Sequence, residues 1–254
     1  MTDTPMPKAR SQNGYTLIEM VMVVVILGVL SAIAFKSMGK VTEVTRTEET
    51  RQKMDRLAMA ITGDPELVSG GSRIDFGYVG DIGALPPTWD ALVANPGSYT
   101  TWKGPYIQDK FAAGAANSDF KVDAWGKPYS APNSITFTSS GGPSTVTRRV
   151  ANSTADLLYN RVILTILDLD NGLPGSVKKD SVKFLLTFPN GVGSTSTVTK
   201  FPTANGLARF DSIPVGIHDL RVIFIPTHDT LSRKITVFPG RTTYADLHHY
   251  AKVW

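Results

Sequence analysis

Apolar and polar positions along the chain fall into three regimes. Met20 to Phe35 reads MVMVVVILGVLSAIAF, sixteen residues without a charge and with no face set apart. Such a run predicts a helix that is apolar all round. With Tyr15 to Ile18 it approaches the ~20 residues needed to cross a bilayer. From Lys36 the pattern changes to one apolar stripe. Val41, Val44, Met54, Leu57, Ala58 and Ile61 recur at three- and four-residue steps between Lys, Glu, Arg and Thr. Tyr15 to Ile61 would form one helix of about 70 Å at 1.5 Å per residue. Gly63-Asp64-Pro65 is its stop signal.

The second regime is short and broken by turns. Asp75 to Gly83 and Leu85-Pro86-Pro87 are rich in Gly and Pro and read as loop, followed by a short helix from Thr88 to Val93 with Thr88 as its cap. Trp102 to Ile107 and Asp123 to Tyr129 each set bulky aromatics beside a Gly/Pro turn. Large aromatics serve first to fill a core, so these segments predict the interior of a small αβ head. The third regime is strand-like. Arg161–Asp168, Val182–Phe188, Thr195–Phe201, Leu207–Phe210, His218–Ile225, Ser232–Phe238 and Thr242–Tyr250 are separated by Gly/Pro/Asn turns. Short strands at that spacing predict a β-sandwich. The expected fold is therefore α+β, divided as a leader (1–14), a membrane and assembly helix (15–62), a globular head (63–158) and an all-β domain (159–254).

Composition narrows the function. A net charge of +4, spread along the chain, gives no electrostatic footprint for a nucleic acid. The absence of cysteine excludes disulfides, thiol catalysis and cysteine-held metals. The four histidines, His218, His228, His248 and His249, fall within no zincin helix motif. His218 and His228 read as strand-edge or turn residues, and His248-His249 as a pair facing opposite ways on a strand. Neither a nucleophile elbow nor a phosphate-binding glycine loop is present. Asp168-Leu169-Asp170 starts like a calcium loop, but Gly172 occupies the next ligand position. No enzyme is expected.

The amino end carries the sharpest signal. Lys8 and Arg10 precede the small polar junction Ser11-Gln12-Asn13-Gly14, which lies before the apolar run rather than after it. An ordinary secretory signal is cut after its apolar run. Cleavage at Gly14–Tyr15 would instead leave the helix on the mature chain. Glu19 is an acid inside that run, and such residues need a partner or a function. A new amino terminus at Tyr15 lies four residues earlier and could neutralise the Glu19 of a neighbouring copy.

Gly14-Tyr15-Thr16-Leu17-Ile18-Glu19 followed by an apolar run resembles the prepilin signature of type IV pilins and type II secretion pseudopilins. The resemblance implies a prepilin peptidase that cuts after Gly14 and N-methylates Tyr15, and a docking role for Glu19. Tyr15 stands where phenylalanine is usual, and Lys36 where many pilins have a proline. Asn95-Pro96-Gly97, Trp102 to Tyr106 and Asp123 to Tyr129 are similar to successive elements of the major pseudopilin, with Ala124 in place of a proline. That family's calcium loop maps onto Ser139 to Ser144, with Asp156 further on. The acid expected after its second glycine is missing. Calcium takes six to eight oxygens, several of them carboxylate, so the expectation is no cofactor. Leu169 to Pro174, Gly206 to Phe210 and Ile213 to Gly216 resemble the turns of transthyretin-like or carboxypeptidase-regulatory-like sandwiches.

These resemblances imply a pseudopilus subunit, minor or at the tip, in a type II secretion-like system. Its partners would be other pseudopilins or pilins, the prepilin peptidase, the inner-membrane assembly platform and the lipid bilayer. It would cross the bacterial inner membrane once, with its carboxyl domains in the periplasm or on an extracellular filament. The alternative is a single-span anchored protein whose sandwich captures a glycan or a secreted substrate.

Overall fold

A computed structural model describes residues 14–108 and 119–254. The leader expected over residues 1–14 lies, apart from Gly14, outside the described residues, as do Lys8, Arg10 and Ser11 to Asn13. The chain divides into two compact units, Met1–Thr45 and Arg46–Trp254.

Helix α1, Leu17–Thr62, is unbroken through Lys36, as the lack of a proline there allows. Up to Thr45 every described side chain is exposed. Beyond it the stripe takes effect, and Met54, Leu57, Ala58 and Ile61 are buried. The helix stops where Gly63 takes a φ of 80° and its N–H bonds to the Met59 carbonyl.

Within the second unit a two-residue hairpin, β1 (Val68–Ser69) and β2 (Ser72–Arg73), leads into α2, Gly77–Ile82. The stretch expected to be loop is thus a buried turn of helix, with Tyr78, Val79 and Ile82 at 1% exposure or less. Its glycines permit close packing. A Cβ on Gly77 would lie 2.5 Å from the Gly63 nitrogen. The expected helix at Thr88–Val93 is a 3₁₀ turn, Trp89–Leu92, and Thr88 makes no side-chain cap. A second 3₁₀ turn, Asp119–Lys121, precedes the antiparallel pair β3 (Thr136–Ser139) and β4 (Val146–Arg149). Trp89, Tyr129 and Phe137 meet edge-on with centroids 5.3 to 6.3 Å apart, packed against Met54, Leu57 and Leu92. Helix α3, Thr154–Leu158, starts with a capping box between Ser153 and Asp156.

Seven strands and the short α4, Gly175–Lys178, follow. They are β5 (Asn160–Leu167), β6 (Val182–Pro189), β7 (Thr195–Lys200), β8 (Leu207–Ile213), β9 (Gly216–Phe224), β10 (Asp229–Val237) and β11 (Thr242–His248). Each expected strand is present, with ends moved by a few residues. One sheet has the order β10-β9-β6-β7 and the other β11-β5-β8. All neighbours are antiparallel except β5 and β11, which run parallel. Alternate residues point inward, as the two-residue period requires. Val162, Leu164 and Ile166 from one sheet and Phe184, Leu186, Leu220 and Val222 from the other form a single apolar cluster.

This cluster and the one beneath α1 are bound together by loops. Gly191 N–H donates to the Ile82 carbonyl at 2.8 Å, Thr100 N–H to Gly193 at 2.8 Å, and Val215 N–H to Leu157 at 2.8 Å. Val215 itself belongs to the cluster of α1 and α2.

Candidate assembly and processing site

The amino-terminal site is built by the start of α1. Gly14, Tyr15 and Thr16 precede the first helical residue, so the Gly14–Tyr15 bond lies in non-helical chain. Tyr15 is 84% exposed, and nothing lies within 4 Å of where a Gly14 side chain would start. A peptidase needs an accessible bond outside regular structure, and the Gly14–Tyr15 bond is one.

Thr16 occupies the N-cap position and Glu19 the third residue of the helix. Thr16 donates to Glu19 Oε2 from its backbone N–H at 2.8 Å and from its hydroxyl at 2.9 Å. Glu19 N–H donates back to Thr16 Oγ1 at 3.4 Å. This is a reciprocal capping box, which satisfies donors that the first turn of any helix leaves free. The sequence reading overlooked Thr16, although Thr-x-x-Glu before an apolar run is the signature of that box. The carboxylate of Glu19 is also drawn to the positive end of the helix dipole.

Beyond the cap, Leu17 to Phe35 presents apolar side chains on all sides. An eighteen-residue window has mean hydropathy 2.7, and none of it is buried. Length and composition suffice to cross a membrane. A surface that greasy needs lipid or other helices around it.

The acids in the calcium-like stretches accept hydrogen bonds within the chain, though Asp168 Oδ2 is buried without one among the described residues. Asp156 is used by the α3 capping box. The Ser139–Gly141 stretch is held by Asp123, a residue the sequence reading passed over and only 2% exposed. Asp123 Oδ2 accepts from the Ser139 hydroxyl at 2.6 Å and Gly141 N–H at 3.0 Å, while Oδ1 accepts from Trp125 and Lys127 N–H at 2.9 Å each. Asp168 Oδ1 likewise accepts from Asp170 N–H at 3.0 Å and Gly172 N–H at 2.7 Å. Among the described residues no group of three or more His, Asp or Glu could hold a metal ion.

The histidines are dispersed. His218 lies inside β9 rather than at a strand edge, at 1% exposure, because the inward register of that strand includes it. Its Nε2–H donates to the Pro214 carbonyl at 2.7 Å. His228 takes a φ of 60° in a turn. His248 reaches Asn171 Oδ1 at 3.1 Å, and the His249 ring packs on Phe224 with centroids 5.2 Å apart.

Residues 9–35 match the family model described as the prokaryotic N-terminal methylation motif. The motif and the apolar helix behind it make the amino end of this chain type IV pilin-like. No curated protein matches the chain. One solved structure, the dioxygenase domain of a dioxygenase carbohydrate-binding protein fusion from the cellulolytic bacterium Streptomyces sp. SirexAA-E, is similar over 40% of this chain and 86% of its own. Identity there is 13% and the TM-score 0.30, a likeness too slight to inform function.

Proposed function

We propose that this chain is a structural subunit of a type II secretion-like pseudopilus, made as a precursor and matured by cleavage between Gly14 and Tyr15. Prepilin peptidase removes the leader and methylates the new Tyr15 amino group. Helix α1 anchors the subunit in the inner membrane and then enters a filament of packed helices. There Glu19 pairs with the Tyr15 amino group of a neighbouring copy. The observation that carries this reading is the methylation motif over residues 9–35, ending in a helix whose apolar surface has no cover of its own. The same motif favours a structural role over an enzymatic one.

The capping box adds a step to assembly. In the single subunit Glu19 is held by Thr16, so the carboxylate is shielded before it meets a partner. In a filament of low dielectric, the neighbour's ammonium adds a charge-assisted bond to the same group. The two-sheet β domain supports a sandwich decorating the head, and its bulk fits a minor or tip subunit. Every copy in a tightly wound filament would have to find room for it.

Intact-mass measurement of the protein from its host's membranes, with its amino-terminal peptide sequenced, tests the proposal. A chain beginning at methylated Tyr15 is expected. A chain that still begins at Met1, or one cut after Phe35, would overturn it.

A further inference from the structure

One end of the β domain, with Gly191, Gly193 and Val215, is joined to the head. At the opposite end β5, β7, β9 and β11 finish and β6, β8 and β10 begin. The loops closing that end are tied to one another. Gly175 N–H donates to the Ala204 carbonyl at 3.0 Å, Ile225 N–H to Ser181 at 2.8 Å and Leu169 N–H to Ala251 at 3.3 Å. An apolar patch lies here, around α4 and the turn from Phe201 to Leu207. Leu173, Phe201 and Leu207 are 41 to 50% exposed, and Val177 is 84% exposed. Leu173 lies over Gly206, where an added Cβ would stand 3.4 Å from its Cδ2, so the two halves of the patch meet. Apolar side chains left open together mark an interaction site.

The free charges beside the patch are of one sign. Lys178 follows Val177 and Lys200 precedes Phe201, and neither makes an ion pair among the described residues. The acids on the same loops, Asp170 and Asp180, are held by Lys252 and Lys179 at 2.9 Å each. Residues 159–254 hold eleven Lys and Arg against seven Asp, so the chain's whole net charge of +4 lies in this domain. An occupant of the patch therefore meets aliphatic tips flanked by uncompensated cations, and its own surface has to be apolar within and anionic at the rim.

We infer that this patch seats on an anionic lipid bilayer, as a membrane contact separate from α1. Val177 and Phe201 enter the acyl boundary, and Lys178 and Lys200 reach lipid phosphates. Two features select lipid over a protein face. A side chain 84% exposed protrudes, and a protein would need a matching hollow for it, whereas acyl chains flow around it. Lysine lays its stem along apolar neighbours while its ammonium stays at headgroup level, which suits Lys178 beside Val177 and Lys200 beside Phe201. The inference stands whether or not Gly14–Tyr15 is cut.

The test holds the full chain by α1 in neutral phosphatidylcholine nanodiscs, immobilised through the disc scaffold, and passes vesicles over them. Vesicles of mixed phosphatidylglycerol and phosphatidylcholine should be captured saturably, and at least about ten-fold more tightly than vesicles of phosphatidylcholine alone, the effect of two lysines near an anionic surface. Empty discs set the blank. The double variant Val177→Asp, Phe201→Asp keeps α1 and should lose at least ten-fold in capture. The double variant Lys178→Gln, Lys200→Gln alters exposed charge alone, and gives the same reading should the first variant not fold. Capture by either variant equal to that of the wild type would overturn the inference. So would an absence of capture by the wild type. Loss of filament assembly in the aspartate variant alongside that absence would assign the patch to a neighbouring subunit instead.

Discussion

Glu19 Oε2 accepts two hydrogen bonds from Thr16, one from its backbone N–H and one from its hydroxyl, so a single residue neutralises much of the demand of the only acid between Tyr15 and Phe35. The two bonds can be separated. Thr16→Val keeps the backbone donor and removes both the hydroxyl donor and the Oγ1 acceptor for Glu19 N–H. N-cap loss at a helix start costs about 1 kcal/mol. Amide exchange at Leu17 to Met20 in nanodiscs should quicken roughly five-fold, the exchange equivalent of that energy. Exchange beyond Phe35 should be unchanged. Cleavage after Gly14 should persist, because the bond lies outside the helix.

Two glycines with like backbones should respond differently to alanine. Gly193 has φ 80°, and a Cβ there would fall 2.0 Å from the Tyr99 ring while its carbonyl holds Thr100. Gly126 has φ 81° and nothing within 4 Å of the added atom. Gly126→Ala should therefore cost only the left-handed strain of about 1–2 kcal/mol. Gly193→Ala adds a clash with a ring packed on the head, and overpacking of about 1–3 kcal/mol on top of that strain gives an expected loss of about 2–5 kcal/mol. Thermal melts of the two variants side by side check this. Equal shifts would show that Tyr99 yields freely.

The elements that read well from the chain are those with a strong period. Alternation placed each strand from β5 to β11 to within three residues, and the stripe ending at Ile61 placed the end of α1. What failed was read from composition. Gly77, Gly80 and Gly83 looked like turn residues, yet they let α2 sit against backbone, with Gly80 close to Gly216. The parallel pairing of β5 with β11 joins residues about eighty positions apart, and no local pattern encodes it. His218 reads as an edge residue because polar side chains usually lie there. The residues two positions away on either side, Gly216 and Leu220, give the inward register it shares. In the candidate site Glu19 stands out by charge alone, whereas the role of Thr16 shows only in its three-residue spacing from that acid.

His218 sets an acid limit on stability. Burial pushes its imidazole below the ordinary histidine value of 6.5, with the charge of Lys103 acting the same way and the Pro214 carbonyl and Asp219 opposing. The Nδ1 atom is buried without a partner among the described residues, so a proton there enters an unpaired site. The folded pKa is the lower one. The unfolded chain therefore binds more protons below 6.5, and stability falls as pH drops through that value towards the folded pKa. The depressed carboxyls Asp168, Asp211 and Asp229 act only in more acid solution, below their ordinary value of 3.8. Melting temperature measured between pH 7.5 and 5 should thus decline in the wild type. In His218→Gln, which cannot titrate, the curve should flatten across that window even if its plateau is lower.

Asp123 ties its own turn to the Ser139–Gly141 loop. Its two oxygens take four donors from Trp125, Lys127, Ser139 and Gly141, and Ala124 N–H is fixed in turn by Thr50 of α1 at 3.1 Å. Asp123→Ala leaves those donors in a buried place, where each orphaned group costs about 1–3 kcal/mol less whatever water recovers. A loss of at least about 3 kcal/mol is expected, seen as a large drop in the denaturation midpoint. Asp123→Asn should fall between, because its amide oxygen still accepts on one side while its NH₂ opposes a donor on the other. The same saturation bears on calcium. With Asp123 fully engaged and Asp156 committed to the cap of α3, the loop has few carboxylate oxygens left for an ion that prefers several. Millimolar calcium and an equal excess of chelator should then give the same melting temperature in the wild type. A rise with calcium that disappears in Asp123→Asn would show that the carboxylate gives up its loop to the ion.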